Sequence, residues 1–414
     1  MQKEKQWLRQ APPERFEVDP WRGVDQKGPM NPLYAAMPTT IFEVMSGLAR
    51  ETGAINLGQG FPDSNGPPDV VEAAARALSE ASNQYPPMAG LPVLRQAVAD
   101  HYGRHQGLDV DWESEVTITS GATEALAAAI FALVSPGDEV VLFQPMYDAY
   151  LPLVLRAGGV PRLIRLAPPA WRLTEEALAE AFTARTRLVI LNNPVNPTGT
   201  LWPAADLALL AAWIVRHDAV AISDEVWEHV IFDGAVHRPI MAAPGMRDRT
   251  VKIGSGGKIF SLTGWKVGWM VAAPALTRAI AKAHQFLTFT TPPNLQAAVA
   301  YGLGKEAGYF AGMRADFARS RDRLASGLAL AGWTVLPSQA TYFLSVDLVA
   351  SGIHLDDETF CQLLVREGGV AAIPVSAFYA EAPVSSVVRL CFAKRDETLD
   401  AGIARMAEAR RMFG

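Results

Sequence analysis

One lysine of this 414-residue chain, Lys258, stands in unusual surroundings. The chain has 37 lysines and arginines, yet none of its lysines lies between Lys27 and Lys252. Lys258 then follows in the loop SGGKIF, between two apolar segments typical of strands. Most lysines are solvated surface charges, but small and apolar neighbours desolvate an amine and lower its pKa. We interpret Lys258 as a candidate nucleophile for a carbonyl carbon, because the neutral amine is the reactive form.

A carboxylate with a matching role is Asp224, which ends the apolar run AVAIS. Its side chain is expected near the buried edge of a sheet. Alone, such an acid is most often a helix cap or a loop residue. Together with Lys258 it meets the needs of pyridoxal 5′-phosphate (PLP). That cofactor requires an acid opposite its pyridine nitrogen, because the protonated ring is the electron sink for a substrate carbanion.

The segment SGAT at 120–123 reads as a turn from a strand into a helix. Free N–H groups and the dipole at a helix N-terminus favour a phosphate. Ser255 and Lys266 could add a hydroxyl and a positive charge to the same dianion. The turn alone is weak evidence, since many helices begin with such residues.

Two further residues are candidates for binding a substrate. Asn196 lies in NPVNPTG, where Asn-Pro pairs usually only form turns. Arg389 lies in the apolar strand SSVVRLCFA, and a buried charge there needs a partner. A substrate carboxylate is a natural partner for the guanidinium group, which binds it through two parallel hydrogen bonds.

Short apolar segments alternate with helical ones from about residue 115 to 295, which predicts an α/β domain with a mostly parallel sheet and helices on both faces. The later pattern indicates a smaller α+β domain. We expect a polar arm over 1–30, a small-domain part over 31–60, a large cofactor-binding domain over 61–300 and the small C-terminal domain over 301–414. The chemical segments follow predicted strands, so they should meet at the carboxyl edge of the sheet.

The composition narrows the class of protein. The chain is 50% hydrophobic and 19% charged, with a net charge of -6, which disfavours a nucleic-acid partner. Two cysteines, no apolar leader at the N-terminus and no apolar run of membrane length predict a cytoplasmic protein without membrane contact.

His101 and His105 have the i, i+4 spacing of metal ligands. No third ligand is evident and their helix is interpreted as a solvated face, so no metal is expected. GSGGKIF lacks the spacing of nucleotide-binding loops.

Several segments, taken in order, resemble the class I and II aminotransferases of PLP fold type I over nearly the whole chain. The branch with kynurenine or glutamine transaminases, cysteine-conjugate β-lyases and methionine aminotransferases is the most similar in appearance. The segments that carry the resemblance are NLGQGFPD (56–63), NQYPPMAG (83–90), GATEAL (121–126), NNPVNPTG (192–199), SDEVWEHV (223–230), GKIFSLTGWKVGW (257–269), IPVSAFY (373–379) and RLCFAKRDETL (389–399).

The resemblance implies a role for each matching residue. Lys258 is then the Schiff-base lysine and proton carrier, and Asp224 the partner of the pyridine nitrogen. Tyr147 stacks on the cofactor ring, and Asn196 bonds the ring hydroxyl. The implied phosphate ligands are Gly121, Ala122, Thr123, Ser255, Lys266 and, from the neighbouring subunit of a homodimer, Tyr85. The substrate carboxylate is bound by Arg389, with help from the Gly60 backbone and Asn196.

One residue departs from the family pattern, because Trp227 stands where relatives usually have a tyrosine that contacts the cofactor's ring oxygen. An indole N–H can donate a hydrogen bond but cannot accept one. The expected activity is transfer of an amino group from an amino acid to a 2-oxo acid. Two alternatives are a PLP-dependent β-lyase of cysteine conjugates or cystathionine and, more remotely, a non-catalytic PLP-fold regulator.

Overall fold

The computed structural model of the chain describes residues 31–414. Thirteen strands are present in this part of the chain. They are β1 (Ile55–Asn56), β2 (Val116–Ser120), β3 (Glu139–Gln144), β4 (Val160–Arg165), β5 (Thr186–Asn192), β6 (Val220–Asp224), β7 (Thr250–Ser255), β8 (Val267–Ala272), β9 (Thr334–Val335), β10 (Phe343–Asp347), β11 (Val370–Ala371), β12 (Ile373–Pro374) and β13 (Val387–Cys391).

Fifteen α-helices accompany these strands over the same residues. They are α1 (Pro32–Ala36), α2 (Ile41–Thr52), α3 (Pro68–Glu80), α4 (Pro92–Gln106), α5 (Trp112–Glu115), α6 (Gly121–Leu133), α7 (Tyr150–Arg156), α8 (Glu175–Ala181), α9 (Ala204–Arg216), α10 (Gly256–Ile259), α11 (Pro274–Leu287), α12 (Pro293–Leu303), α13 (Ala307–Leu330), α14 (Asp357–Leu363) and α15 (Asp396–Phe413).

A seven-stranded sheet forms the centre of the fold, with the strand order β2-β8-β7-β6-β5-β3-β4. Strands β3 to β7 pair in parallel, whereas β8 runs antiparallel to both of its neighbours. Every residue of β3, β7 and β8 is buried. Helices therefore cover both faces, as expected for strands that read as continuous apolar runs. The predicted α/β architecture with a mostly parallel sheet is confirmed.

A second sheet of four strands has the order β12-β13-β10-β9, and all its pairings are antiparallel. β1 pairs in parallel with β11, so the segment near residue 55 packs with the C-terminal part of the chain. The strand β13 contributes Arg389 from the middle of this sheet, opposite Ser345 of β10. This second sheet thus positions Arg389, the residue predicted to bind a carboxylate.

The register of the central sheet explains how distant segments meet. Asn192 at the end of β5 is paired with Asp224 at the end of β6, and Asp224 is paired with Ile253 of β7. Because these strands are parallel, their carboxyl ends open onto one edge. Lys258 follows directly after β7, on the short helix α10, and so lies at the same edge.

The predicted N-terminal arm and the expectation about membrane spans are considered next to the described residues. The arm predicted over 1–30 lies outside the described residues. Within residues 31–414, no helix is both long enough and apolar enough to cross a lipid bilayer.

Candidate active site

Lys258 points into an aromatic enclosure. Its Nζ lies 4.7 Å from the ring centroid of Trp227 and 5.7 Å from that of Tyr342. The same Nζ lies 3.4 Å from the hydroxyl oxygen of Tyr342. The rings of Trp227 and Tyr342 meet edge to face at 4.4 Å. Aromatic walls on two sides hold the amine away from bulk water.

The charge state of Lys258 follows from this enclosure. Burial lowers the pKa of Lys258 to about 8, and the attraction of the Asp224 carboxylate only partly opposes the effect. The positive charges of Arg389 and Lys266 lower the pKa further. A substantial fraction of the amine is therefore neutral near physiological pH, as a nucleophile or proton acceptor requires.

Asp224 is buried at the end of β6, as its sequence position predicted. The hydroxyl of Tyr150 donates a hydrogen bond of 2.6 Å to Oδ2 of Asp224. Burial raises the pKa of Asp224, while the hydrogen bond from Tyr150 and the charge of Lys258 oppose this rise. Sequence reasoning missed Tyr150. Its position, three residues after Tyr147 in QPMYDAY, gave no separate signal.

The N-terminus of α6 and Lys266 meet at a corner, named the anion corner here because SGAT predicts phosphate binding at this place. Gly121 has φ 74°, which favours glycine, and Lys266 also lies in the left-handed region at φ 54°. A Cβ on Gly121 would lie 3.4 Å from Nζ of Lys266, so the ammonium group lies beside the helix end. Gly268 lets the backbones pack closely, since a Cβ there would lie 2.9 Å from the Ala122 nitrogen. Ser255 ends the neighbouring strand β7.

Tyr147 lies between this corner and the buried acid. Burial raises the pKa of Tyr147, and a hydrogen bond with Thr123 of the α6 N-terminus opposes the rise. The ring of Tyr147 meets that of Tyr150 edge to face at 5.7 Å. Through Thr123 on one side and Tyr150 on the other, Tyr147 connects the anion corner with the surroundings of Asp224.

Arg389 is buried, and its three nitrogens are used unequally. Nη1 donates a 2.8 Å hydrogen bond to Oδ1 of Asn196, and Nη2 donates a 2.9 Å hydrogen bond to the Gly58 carbonyl. Nε is buried and has no hydrogen-bond partner among residues 31–414. The guanidinium carbon lies 3.9 Å from the Phe343 ring centroid. Burial lowers the pKa of Arg389 to about 10. An anion would compensate a buried cation with an unpaired donor, and binding of a substrate carboxylate by Arg389 stays a prediction.

Gly60 lies beside Arg389, as expected from NLGQGFPD. Its carbonyl accepts a 2.9 Å hydrogen bond from the Tyr342 hydroxyl. A Cβ at Gly60 would lie 2.8 Å from Cζ of Phe343 and 3.9 Å from Nη2 of Arg389. The absence of a side chain is therefore what allows this backbone to pack against the Phe343 ring beside Arg389.

Tyr85 differs from the other predicted residues, because this chain alone does not enclose it. The residue is 84% exposed, and its ring contacts only the edge of Phe289 at 5.6 Å among aromatic neighbours in the described residues. The remaining predicted site residues lie around Lys258, Asp224, the α6 N-terminus and Arg389.

Taken together, the residues present suit a phosphorylated aromatic aldehyde such as PLP. The α6 N-terminus with Lys266 provides donors and positive charge for a phosphate. The buried Asp224 can hold a proton on a ring nitrogen, and Lys258 offers an amine of lowered pKa. The three groups thus match the three parts of that cofactor, which are its phosphate, its ring and its aldehyde.

The expectation of a solvated face around His101 and His105 is wrong for His101. That residue is fully buried, because α4 packs against the SDEVWEHV segment. Nε2 of His101 lies 2.6 Å from Nε2 of His229, and its Nδ1 lies 3.4 Å from the Leu303 carbonyl. Burial lowers the pKa of His101 to about 2, so the ring is neutral. No local pattern predicts that His229 contacts this helix, because the two residues are 128 positions apart.

A second buried cluster of charge lies behind Asp224. Nζ of Lys252 bonds the carboxylates of both Glu225 and Glu228, the latter at 2.6 Å. Nε2 of His237 lies 2.6 Å from Oε2 of Glu225. Burial alone would lower the pKa of Lys252, but the two carboxylates outweigh it and raise the pKa. Ligand atoms of Glu225, Glu228 and His237 lie within 4.8 Å of one another, yet the Lys252 ammonium already serves as their cation.

Comparison with known proteins gives consistent matches over nearly the whole chain. The family "Aminotransferase class I and II" matches residues 52–406. Methionine aminotransferase of Escherichia coli is 44% identical over 370 residues, which cover 89% of this chain and 96% of that protein. Human kynurenine–oxoglutarate transaminase 1 is 35% identical over 387 residues, covering 86% of this chain and 92% of that protein. The solved structure of N-succinyldiaminopimelate aminotransferase from Mycobacterium tuberculosis is 45% identical, with a TM-score of 0.87 and coverage of 90% and 97%.

The Lys252 cluster leads to a prediction on stability. Lys252→Met should lower the free energy of unfolding by about 3–5 kcal/mol, because it leaves two buried carboxylates without their cation. The midpoint of chemical unfolding measures this loss. Lys282→Met, on the exposed side of α11, is the matched control and should change the free energy by less than about 0.5 kcal/mol. Equal stability of the two variants would contradict the assignment.

Proposed function

Because this chain belongs to the class I and II aminotransferases of PLP fold type I, we propose that Lys258 carries PLP and that the donor is a neutral amino acid. The reaction class is transfer of an amino group. We propose a 2-oxo acid as the acceptor and a ping-pong sequence. The observation that carries the assignment is the position of Lys258 directly after β7, where the rings of Trp227 and Tyr342 enclose its amine. Burial there lowers the pKa of Lys258 to about 8, and the charge of the buried Asp224 opposes this effect.

The proposed cofactor contacts involve three groups of residues. Gly121, Ala122, Thr123, Ser255 and Lys266 would hold the phosphate, and Tyr147 would contact the ring. Asp224 would hold a proton on the ring nitrogen, and Asn196 and Trp227 would bind the ring oxygen. The closeness of Lys266 to the α6 N-terminus and the hydrogen bond from Tyr150 to Asp224 support this arrangement.

Each protein group then has one task in the reaction. Bound PLP supplies an electron sink for the bond that breaks at the substrate Cα. Asp224, a buried carboxylate, would keep a proton on the ring nitrogen. Lys258 would move the proton at the substrate Cα, since its lowered pKa leaves part of the amine neutral. Arg389 holds the substrate carboxylate, and the Phe343 ring shields one face of its guanidinium from water.

We also propose a homodimer in which two chains complete each site. Tyr85 reaches the partner's phosphate in this arrangement, and the apolar segment 286–294 joins the partner's substrate pocket. Tyr85, Phe286, Leu287 and Phe289 are all exposed, and the rings of Tyr85 and Phe289 touch. This supports the proposal, since contiguous exposed apolar patches mark interaction surfaces. We divide the chain into a cofactor-binding domain over 61–300 and a small domain over 31–60 and 301–414, a division that the β1–β11 pairing supports.

The proposed donor has a medium or large neutral side chain, such as methionine, glutamine or an aromatic residue. The segment FLTFTTPPN at 286–294 contains no arginine to bind a second carboxylate. Arg389 is assigned to the α-carboxylate and is already shared with Asn196 and Gly58. An aspartate-specific site needs a further cation, so we disfavour aspartate as donor.

Within the proposed function, the first prediction concerns Lys258. Lys258→Ala should abolish transamination and leave the fold intact, because the covalent anchor and the proton carrier are lost together. Activity and circular dichroism measure the two effects. Borohydride reduction of the wild-type holoenzyme, followed by peptide mapping, should place the cofactor on Lys258. Label on Lys252 or Lys266 instead, or a protein that cannot be loaded with PLP, would overturn the assignment.

A second prediction separates the charge of Asp224 from its volume. Asp224→Ala should lower kcat by about 100-fold or more, since loss of a desolvated ion pair costs on the order of 3 kcal/mol. Asp224→Glu should lose less, because it keeps a carboxylate. Turnover of the two PLP-loaded variants decides. Near-normal turnover of the alanine variant would show that Asp224 has only a structural role.

The third prediction concerns the donor. A panel of amino acids at a fixed 2-oxo acid should give higher kcat/KM for methionine, glutamine or phenylalanine than for aspartate, because no second arginine is available in 286–294. The matched control is omission of the 2-oxo acid, which separates transfer from β-elimination. A preference for aspartate of tenfold or more over all three would refute the pocket assignment.

A further inference from the structure

Tyr342 is fully buried where the chain enters β10, and it is the hydroxyl group that lies 3.4 Å from Nζ of Lys258. Its ring is fixed by aromatic contacts: the edge of Trp227 at 4.4 Å, Phe343 at 5.1 Å and Phe317 at 6.0 Å. A tyrosine held in this way cannot move its hydroxyl far from the lysine.

The direction of the hydrogen bonds is constrained at this hydroxyl. Tyr342 donates to the Gly60 carbonyl over 2.9 Å, which uses its single proton. Toward Lys258 the oxygen can therefore only accept, and Nζ must donate one of its N–H groups. The 3.4 Å separation is at the long end of hydrogen-bond distances, as is common for catalytic contacts before substrate binds.

The other neighbour of the amine cannot take this role. Nζ of Lys258 faces the Trp227 ring at 4.7 Å, and an indole offers a donor and a π face but no acceptor oxygen. Asp224 acts on Lys258 by charge, and no hydrogen bond joins their side chains within residues 31–414. The Tyr342 oxygen is thus the hydrogen-bond acceptor that the enclosure presents to the amine.

We propose that Tyr342 is a positioning residue, whose hydroxyl accepts one N–H of the freed Lys258 amine and so directs the nitrogen lone pair toward the substrate Cα. Through its bond to the Gly60 carbonyl, the same hydroxyl ties the amine to the backbone beside Arg389. The lysine and the carboxylate-binding side of the pocket are then held at a fixed separation. This inference rests on the proposed function of Lys258 as proton carrier.

The Tyr342 hydroxyl also affects the pKa of Lys258. The groups that act on the Lys258 charge are Asp224, Cys391, Arg389 and Lys266. An acceptor oxygen stabilises the ammonium form more than the neutral amine. Removal of the Tyr342 oxygen should therefore lower the pKa of Lys258 from its present value of about 8, while the four charged or ionisable groups stay in place.

The experiment uses Tyr342→Phe, which removes one oxygen and keeps the ring contacts. With PLP-loaded enzyme, the rate of cofactor bleaching by a saturating donor should fall about tenfold, while KM changes less than about twofold. The kinetic isotope effect of a donor deuterated at Cα should rise, because proton transfer becomes more rate-limiting. In the apoenzyme, the pH midpoint for acylation of Lys258, followed by mass spectrometry, should fall by about half a unit or more.

Tyr379→Phe is the matched control. Its hydroxyl also donates to a backbone carbonyl, that of Leu166 at 2.7 Å, and within residues 31–414 it makes no hydrogen bond to Lys258. This variant should keep the wild-type rate, isotope effect and labelling midpoint. If Tyr342→Phe also keeps all three, the positioning role is overturned. A wild-type holoenzyme that no amino donor bleaches would instead refute the proposed function itself.

Discussion

Burial of an amine and a carboxylate at one edge of the sheet is the constraint on which the rest of the structure depends. Moving a charged group out of water costs several kcal/mol unless partners compensate it. Asp224 receives the Tyr150 hydroxyl, and Lys258 loses part of its charge through a lowered pKa. The parallel register of β5, β6 and β7 brings these groups together, because parallel strands end at one edge. The α/β architecture thus forms the site by burying charged groups. The side chains around Asp224 and Lys258 offset the free-energy cost of that burial.

Asp224 at the end of β6 and Glu225 directly after it belong to two separate groups of buried charges. Asp224 and Glu225 are adjacent, so their side chains leave the strand end on opposite sides. Asp224 faces the reactive amine, and Glu225 faces Lys252 and His237. Lys252 and His237 keep Glu225 ionised, since they lower its pKa to about 2, and the charge of Glu225 in turn raises the pKa of Asp224. Lys252 therefore influences the electrostatics of the site without entering it, and two lysines only six residues apart serve two adjacent acids.

Sequence reasoning succeeded where local pattern and chemistry coincide. The apolar runs before Asp224 and Ser255 predicted buried strands, and the SGAT turn predicted the N-terminus of α6. Reasoning failed where the signal is a long-range contact. Tyr342 and Gly60 are 282 residues apart, and His101 and His229 are 128 apart, so no periodicity links them. The burial of His101 was also hidden, because α4 has apolar residues too scattered to mark one face.

Trp227 shows how far the chemistry and the substrate choice are separable in this aminotransferase. The residue packs among Tyr342, Phe343 and Lys258, all of which are enclosed by this chain. The segment proposed to contact the donor side chain, 286–294, instead begins with exposed residues such as Phe286. A change there disturbs no buried charge, whereas a change around Lys258 must preserve the balance of several. Relatives named for methionine, N-succinyldiaminopimelate or aspartate share this fold with the chain. Burial imposes fewer constraints on segment 286–294 of this chain than on the surroundings of Lys258, so the choice of donor can change there at the least cost to the buried charges.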